Sequence, residues 1–343
     1  MRQSTTSLLL LICMALPVPN GQAATEAELS NLANQAAGAS PSARAELERL
    51  AAEGDALAAH YLGRLHLDGR GVPQNEALAV DWFRKSAAGG RADSAHNLGV
   101  IYQHTRGPLK DPREARRWYR IAAEQGYGAA QANLGQMFAE GIGGPADLDE
   151  ARGWIEKAAA QATPRGQYLL GLLTIEGRAG IVHNMAEAAR LFRVAAEGRD
   201  RDAQYRLALL YGTGQGVERS DKLALEWLRK AVAQRQTDAQ YLLAAVYTHG
   251  KYGVRRDLKR AAELLRAAAR EGHAEAAYEL GVAYTEGRGV ARDGTEAYGW
   301  MLEASRKGHP KAIEFVRQVQ ISRPQPSPPP QLPTESKPES DRK

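Results

Sequence analysis

Hydrophobic residues along this chain follow a helical spacing that returns every 36 or 37 residues. In each copy a leucine precedes a central small residue, and most copies add an aromatic residue three positions later, so these side chains share one helix face. The seven leucines are Leu62, Leu98, Leu134, Leu170, Leu207, Leu243 and Leu280. The central small residues are Gly63, Gly99, Gly135, Gly171, Ala208, Ala244 and Gly281. A fixed period of this length predicts a solenoid of stacked helix pairs.

The glycine in the middle of this first helix needs a physical reason, because glycine costs about 1 kcal/mol relative to alanine inside a helix. It returns in five of the seven copies, so we expect a neighbouring helix to approach closely there. The helix ends in Gly-x-Gly in several copies, as at Gly69 and Gly71, since glycine reaches positive φ cheaply. Residues 212–216 read GTGQG, but no Lys-Ser or Lys-Thr follows, so we do not predict a phosphate loop.

A second helix follows in every copy and starts after a residue whose side chain caps helices well. These caps are Asn75, Asp111, Asp147, Asn184, Ser220, Asp257 and Asp293. Proline at the first helical position in Asp111-Pro112 supports the assignment. A glutamate three residues after the cap, as in Asp111 and Glu114, predicts a capping box.

A large apolar residue stands seven positions after each cap, with alanine three positions before it. The large residues are Trp82, Trp118, Trp154, Leu191, Trp227, Leu264 and Trp300, which include all five tryptophans of the chain. A large side chain beside a small one lets helices interlock. We therefore expect Trp118 and Ala115 to pack against Leu98 and Gly99.

The sequence outside the repeats divides into five segments. We predict a signal peptide over residues 1–23, a flexible leader over 24–41 and an N-terminal capping helix over 42–55. The seven repeats occupy residues 56–308, followed by a C-terminal capping helix over 309–321 and a Pro-rich disordered tail over 322–343. Both ends keep part of the buried pattern but place a charge, Glu46 or Arg317, where another repeat would pack. Solenoids need such caps for solubility.

The first 23 residues have the features of a secretory signal peptide. Arg2 precedes an apolar run at residues 8–16, and small residues at 21 and 23 offer a cleavage site. The run is short for a transmembrane helix, and no later segment is long and apolar enough to span a membrane. The only cysteine, Cys13, lies inside the run, so the mature chain has no disulfide. We expect the protein to be exported. The periplasm is the predicted location, and secretion is the alternative.

Charge is balanced, with 45 Lys and Arg against 40 Asp and Glu and a net charge of +5. Basic and acidic residues are interspersed, whereas proteins that bind nucleic acid cluster their basic residues. We therefore predict no nucleic-acid partner.

The repeated pattern Ala-x-x-x-Leu-Gly-x-x-Tyr, Gly-x-Gly, Asp, Ala-x-x-Trp-x-x-x-Ala-Ala resembles the Sel1-like repeat family, a relative of the tetratricopeptide repeats. The resemblance covers residues 56–308. It implies an all-α fold, an α/α right-handed superhelical solenoid of seven helix-turn-helix repeats with half-repeat caps. It also implies an adaptor of protein complexes and no catalytic chemistry. Departures are local, such as His66 and Thr174 at the aromatic position and Leu191 and Leu264 at the tryptophan position.

Catalytic motifs are missing from the sequence: it contains no GxSxG, HExxH or CxxC. The eight histidines fall into repeat positions that other residue types also occupy. Acidic residues such as Glu140, Glu176 and Glu286 lie one repeat or more apart. We therefore predict that the protein is not an enzyme and binds no cofactor or metal.

The candidate binding surface follows from tetratricopeptide-like geometry, in which the first helices line the concave face. Positions three and two residues before the central small residue then point inward. The candidates at these positions are His60, His96, Asn97, Asn133, Tyr168, Tyr205, Arg206, Tyr241 and Tyr278. Tyrosine combines a large contact area with a polar tip, which suits peptide or sugar recognition. The alternative is that these tyrosines only pack between repeats.

Two functions fit this pattern. The first is a non-catalytic exported scaffold that binds a protein or peptide partner on the concave face. The alternative is a cell-envelope factor that binds polysaccharide or peptidoglycan, or regulates an envelope enzyme.

Overall fold

The computed structural model describes residues 24–105 and 107–322, and in these residues it contains seventeen α-helices and no strand. The predicted signal peptide and all but the first residue of the predicted tail lie outside the described residues. The helices are α1 Glu26–Ala37, α2 Pro41–Ala52, α3 Ala56–Asp68, α4 Glu76–Ala88, α5 Ala92–His104, α6 Pro112–Glu124, α7 Gly128–Glu140, α8 Leu148–Ala160, α9 Pro164–Glu176, α10 Met185–Glu197, α11 Arg201–Thr213, α12 Asp221–Ala233, α13 Thr237–His249, α14 Leu258–Arg270, α15 Ala274–Glu286, α16 Gly294–Arg306 and α17 Pro310–Ser322.

The predicted repeats correspond to helix pairs, from α3 and α4 in repeat 1 to α15 and α16 in repeat 7. Second helices pack on the first helix of the next repeat, as α4 does on α5 and α14 on α15. This serial packing confirms the α/α solenoid. The described chain divides after Trp154 into an N-terminal part and a C-terminal part, each described by itself below.

The predicted caps of the second helices are confirmed. All seven side chains accept a hydrogen bond from a backbone N–H of the first helical turn, as Asp111 does from Glu114 at 3.2 Å. The predicted capping boxes are not found, because the glutamates turn to other partners. Glu114, for example, accepts a hydrogen bond from the indole N–H of Trp118 at 3.1 Å.

The central glycines accommodate a side chain of the second helix, as expected, but that side chain is not the tryptophan. A Cβ at Gly99 would lie 2.5 Å from the ring of Tyr119, and one at Gly63 would lie 2.7 Å from the ring of Phe83. Both rings follow the tryptophan position by one residue and are fully buried. The tryptophans themselves are half-buried. The expected packing of Trp118 against Gly99 was therefore wrong. The next residue, Tyr119, takes this place, and one residue corresponds to a rotation of about 100° around the helix.

Polar contacts recur between consecutive repeats. A glutamine near the start of several first helices donates to a carbonyl at the end of the preceding second helix, as Gln131 does to Ala123 at 3.1 Å and Gln204 to Ala196 at 3.1 Å. Arginines of second helices donate to the tyrosine hydroxyl of the next repeat. These pairs are Arg84 with Tyr102, Arg193 with Tyr211, and Arg266 with Tyr284. Such bonds fix the register of one repeat on the next while satisfying buried polar groups.

The predicted flexible leader over residues 24–41 was wrong: most of it forms α1. Thr25 and Glu28 close a capping box at its start. Leu29, Ala33 and Ala36 are buried in one core with α2 and α3. The spacing of these three residues defines an apolar helix face, so the N-terminal cap is a helix pair rather than a single helix.

The last helix of the described residues is α17, Pro310–Ser322, where the C-terminal capping helix over 309–321 was predicted. Its first turn is capped by His309, whose Nδ1 accepts a hydrogen bond from the N–H of Ala312 at 3.2 Å. Ala312 and Val316 belong to a continuous core that extends back to Ala208. No helix within residues 24–105 and 107–322 has both the length and the apolar character needed to cross a membrane.

Candidate binding surface

The candidate residues lie on the first helices, in two adjacent positions of each repeat. Four of them belong to the N-terminal part: His60, His96, Asn97 and Asn133. Five belong to the C-terminal part: Tyr168, Tyr205, Arg206, Tyr241 and Tyr278. The surroundings of each side chain decide whether a partner can reach it.

His60 is part of the packing between repeats 1 and 2. Its side chain is buried, and its Nδ1 lies 2.8 Å from the hydroxyl of Ser94 and 3.5 Å from the carboxylate of Asp93. Burial lowers the pKa of His60, and the charge of Asp93 opposes this only in part. Ser94 also donates to Ser86, whose hydroxyl donates to the carbonyl of Ala56. This buried network leaves His60 closed to a partner.

His96 packs between two tyrosines, with ring centroids 5.5 Å from Tyr119 and 5.1 Å from Tyr127. Burial lowers the pKa of His96 to about 4, so the imidazole is neutral at pH 7. Asn97 and Asn133 are half-buried at the next position. The N-terminal part thus offers two amides beside a neutral, packed imidazole.

In the C-terminal part the four tyrosines differ in exposure. Tyr168 is buried, with its ring 4.7 Å from the guanidinium of Arg165 and 5.7 Å from the ring of Phe192. Tyr205, Tyr241 and Tyr278 are half-buried and belong to three consecutive repeats. We call these three residues the tyrosine strip.

Histidines that precede the helices α15 and α17 cover one face of two strip residues. Tyr241 stacks on His273 at 4.6 Å, and Tyr278 stacks on His309 at 4.2 Å. Each histidine also caps the helix that it precedes. The stacked histidines hold the rings in place, which lowers the entropy that the side chains lose when they bind a ligand. The predicted alternative was that these tyrosines only pack between repeats. Tyr241 and Tyr278 do pack in this way with one ring face, against His273 and His309.

Carboxylates accompany the tyrosine strip. An acidic residue precedes each of its tyrosines by three positions, and these residues are Asp202, Asp238 and Glu275. Burial, and then the charge of Asp238, raise the pKa of Tyr205. Burial, and then the charges of Glu275 and Glu279, raise the pKa of Tyr241.

The acidic side chains remain accessible. The side chain of Asp238 is 55% exposed and that of Glu275 is 46% exposed. Each of the two also contacts a histidine, Asp238 at 3.6 Å from His273 and Glu275 at 3.1 Å from His309. Asp202 instead pairs with the guanidinium of Arg165 at 2.8 Å. Arg206 is the exposed cation beside Tyr205. From Tyr205 to Tyr278 the surface therefore combines aromatic area with carboxylate groups.

Sequence reasoning identified the tyrosines but missed the acidic residues beside them. The signal was present, because Asp-Ala-Gln-Tyr occurs at residues 202–205 and 238–241, and Glu-Ala-Ala-Tyr occurs at 275–278. Residues three apart on a helix are neighbours on its surface. Within the described residues, no group of three or more His, Cys, Asp or Glu side chains is placed to hold a metal ion.

Comparison with known proteins agrees with the repeat geometry. Matches to the Sel1 repeat cover residues 56–90, 92–127, 128–162, 164–200, 201–235, 237–273 and 274–309. The chain belongs to the Sel1-repeat family. Proteins built from these repeats commonly mediate protein–protein interactions and are typically non-catalytic scaffolds.

Two solved structures of similar proteins come from bacteria. A Sel1 repeat protein from Oxalobacter formigenes is 33% identical over 67% of this chain and 93% of its own, with a TM-score of 0.58. A protective antigen of uropathogenic Escherichia coli with the same type of repeat is 27% identical over 85% of this chain and 82% of its own, with a TM-score of 0.46. No curated protein matches the chain.

Proposed function

We propose that this Sel1-repeat protein is an exported, periplasmic scaffold that binds a protein partner through the tyrosine strip. We further propose that the bound segment of the partner carries lysine or arginine side chains. The observation that carries this proposal is the pairing of half-buried tyrosines with accessible carboxylates on the consecutive first helices α13 and α15.

The chemistry of the strip favours a basic segment over an acidic one. A lysine or arginine side chain gains from the open face of a tyrosine ring by a cation–π interaction of about 0.5–1 kcal/mol at an exposed site. It gains again from the carboxylates of Asp238 and Glu279. An acidic segment would meet these carboxylates as like charges, which disfavours the complex.

The glycan-binding alternative receives less support from the strip. Aromatic residues that bind sugars present an open ring face for stacking. Here His273 and His309 cover one face of Tyr241 and Tyr278. The carboxylates beside the rings attract a cationic ligand by its charge, whereas neutral sugars gain only hydrogen bonds from them.

A charge-reversal variant tests the partner proposal. Asp238→Lys combined with Glu279→Lys replaces two carboxylates of the strip by ammonium groups. It keeps the tyrosines and the Glu275–His309 contact, while it removes the carboxylate that lies 3.6 Å from His273. The matched control is Glu197→Lys with Glu263→Lys, which changes the net charge equally on second helices. The proteins of interest are those that the wild type and the control capture from periplasmic extract but the strip variant does not. We expect these proteins to bind through basic segments.

The decisive readout is the affinity of a peptide taken from the captured partner. We expect a basic peptide to bind the wild type at least tenfold more tightly than the strip variant. Equal binding by the strip variant and the control would place the interaction elsewhere on the molecule.

The export proposal is tested separately. Full-length protein and a variant lacking residues 2–23 are produced in a Gram-negative host, and the periplasm is separated from the cytoplasm. We expect the full chain in the periplasm and the truncated chain in the cytoplasm. Equal cytoplasmic retention of both proteins would contradict export.

A further inference from the structure

One segment of repeat 6 carries a local excess of positive charge. Residues 251–266 contain six Lys and Arg against two Asp and Glu, a net charge of +4, while the whole chain carries +5. This segment spans the loop between α13 and α14 and the first two turns of α14. The even mixture of charges along most of the sequence conceals this local excess.

Repeat 6 departs from the other repeats at the positions that create the excess. Three residues after the second-helix cap, four repeats have glutamate, whereas repeat 6 has Arg260. These glutamates are Glu114, Glu150, Glu187 and Glu296. Two residues before the cap, repeat 6 has Arg255, where the other repeats have no basic residue. Their residues there are Pro73, Leu109, Pro145, Val182, Glu218 and Ala291.

These arginines surround an open pocket of about 640 Å³ in the C-terminal part. Arg229 reaches it from α12, Arg255 and Arg256 from the loop, and Arg260 from α14. Tyr247, nearly buried at the end of α13, forms part of its wall. The pocket is thus lined by four arginines from three structural elements.

The single acidic residue of the pocket is already engaged. One oxygen of Asp257 caps α14 by accepting a hydrogen bond from the N–H of Arg260 at 3.0 Å, and the other lies 3.4 Å from the Arg260 guanidinium. The remaining three arginines form no ion pair with a carboxylate of the described residues. Because Asp257 satisfies the helix terminus, any affinity for an anion must come from the guanidinium groups rather than from the helix.

The pKa of the Tyr247 hydroxyl is consistent with this positive environment. Burial disfavours the phenolate, but hydrogen bonds and charges from Arg229 and Arg260 outweigh it and lower the pKa of the Tyr247 hydroxyl. Several like charges around one pocket repel each other unless an anion lies between them.

We propose that this pocket, lined by Arg229, Arg255, Arg256, Arg260 and Tyr247, binds a phosphate-type oxyanion. Guanidinium groups donate two parallel hydrogen bonds to such groups, and the tyrosine hydroxyl adds a further donor. The anion replaces the missing carboxylates and relieves the repulsion among the arginines. None of the three tyrosines of the strip lines this pocket, so the anion site can be tested independently of the proposed partner surface.

Titration calorimetry with inorganic pyrophosphate tests the site. The test variant is Arg255→Gln with Arg256→Gln, which spares the two arginines that contact Tyr247. The matched control is Arg219→Gln with Arg292→Gln. These residues occupy in repeats 5 and 7 the position that Arg256 occupies in repeat 6. We expect one binding site in the wild type and in the control, with at least a tenfold weaker affinity in the test variant.

The affinity should also fall as salt rises, since the arginines are exposed to solvent. A parallel arm uses vesicles that contain an anionic phospholipid. Vesicle binding lost in the Arg255/Arg256 variant would support the site with a lipid headgroup as the source of the phosphate. Absence of binding to both probes, or equal binding by the test variant and the control, would overturn the proposal.

Discussion

Replacing Gly99 by alanine isolates the close helix contact on which the repeat is built. The added Cβ would lie 2.5 and 2.6 Å from two ring carbons of Tyr119. The ring cannot retreat easily, because Tyr119 is fully buried and its hydroxyl donates to Gln103 at 2.9 Å. The substitution therefore forces α5 and α6 apart or distorts the tyrosine rotamer.

Two opposing terms set the magnitude. Alanine in place of glycine within a helix stabilises by about 1 kcal/mol. Overpacking a rigid core costs about 1–3 kcal/mol, and the rigid ring at Gly99 places the cost near the upper limit. Gly299→Ala is the matched control, because Gly299 also lies inside a helix but its Cβ would meet nothing within 4 Å. We expect Gly99→Ala to destabilise and Gly299→Ala to stabilise, with a difference of about 3 kcal/mol.

A rescue variant makes the argument specific. Repeat 5 has Ala208 and Leu228 at the positions of Gly99 and Tyr119, and both are buried in one core. Combining Gly99→Ala with Tyr119→Leu should therefore recover more stability than the two single effects predict. Urea unfolding is followed by circular dichroism and tryptophan fluorescence together, since coincident curves justify a two-state free energy. A Gly99→Ala protein as stable as Gly299→Ala would refute the close-packing argument.

Two further predictions concern His96 and α1. The pKa of His96 is about 4 when folded and about 6.5 when unfolded, so its contribution to stability is complete above pH 6.5 and is lost as the pH falls toward 4. That loss is at most about 3 kcal/mol. In urea unfolding at pH 7 and pH 4.5, His96→Gln should show a smaller decrease than the wild type; an equal decrease would contradict the shifted pKa. Leu29→Ala should lower the free energy of unfolding by about 2 kcal/mol, whereas the exposed Asn31→Ala should not. Equal effects of the two substitutions on the free energy of unfolding would support a flexible leader instead of a packed α1.

Periodicity was sufficient to predict the repeat, because each structural constraint recurs seven times. The leucine before Gly99 and the cap at Asp111 each have counterparts in every copy. Seven matches in register do not arise by chance, so the assignment did not depend on any single copy. The segment that forms α1 had no such support. Its Ala- and Asn-rich composition suggested a loose segment, although Thr25, Glu28 and the spacing of Leu29 and Ala33 are the signals of a capped, docked helix.

The tryptophan position shows a different limit. Periodicity identifies which positions recur but not which of two adjacent recurring positions faces the neighbour. Trp118 recurs with more regular chemistry than Tyr119, yet the tyrosine enters the space beside Gly99. The rotation of a helix about its axis is set by tertiary packing, and a one-residue difference turns the face by about 100°. For the same reason sequence alone placed His60 among the accessible candidates although it is buried.

The two proposed sites of the C-terminal part differ in charge and in the structural elements that supply their charged side chains. The tyrosine strip lies on first helices and has accessible carboxylates, while the arginine pocket draws on second helices and the loop of repeat 6. A basic peptide attracted to Asp238 is repelled by Arg255 and Arg256, and an oxyanion has the opposite preference. One ligand of uniform charge therefore cannot serve both sites. A ligand for the arginine pocket should leave peptide binding at the strip within about twofold at physiological salt, because the pocket and the tyrosine strip share no residue and salt screens exposed charges. Competition between pyrophosphate and the basic peptide would instead indicate that the two surfaces form one site.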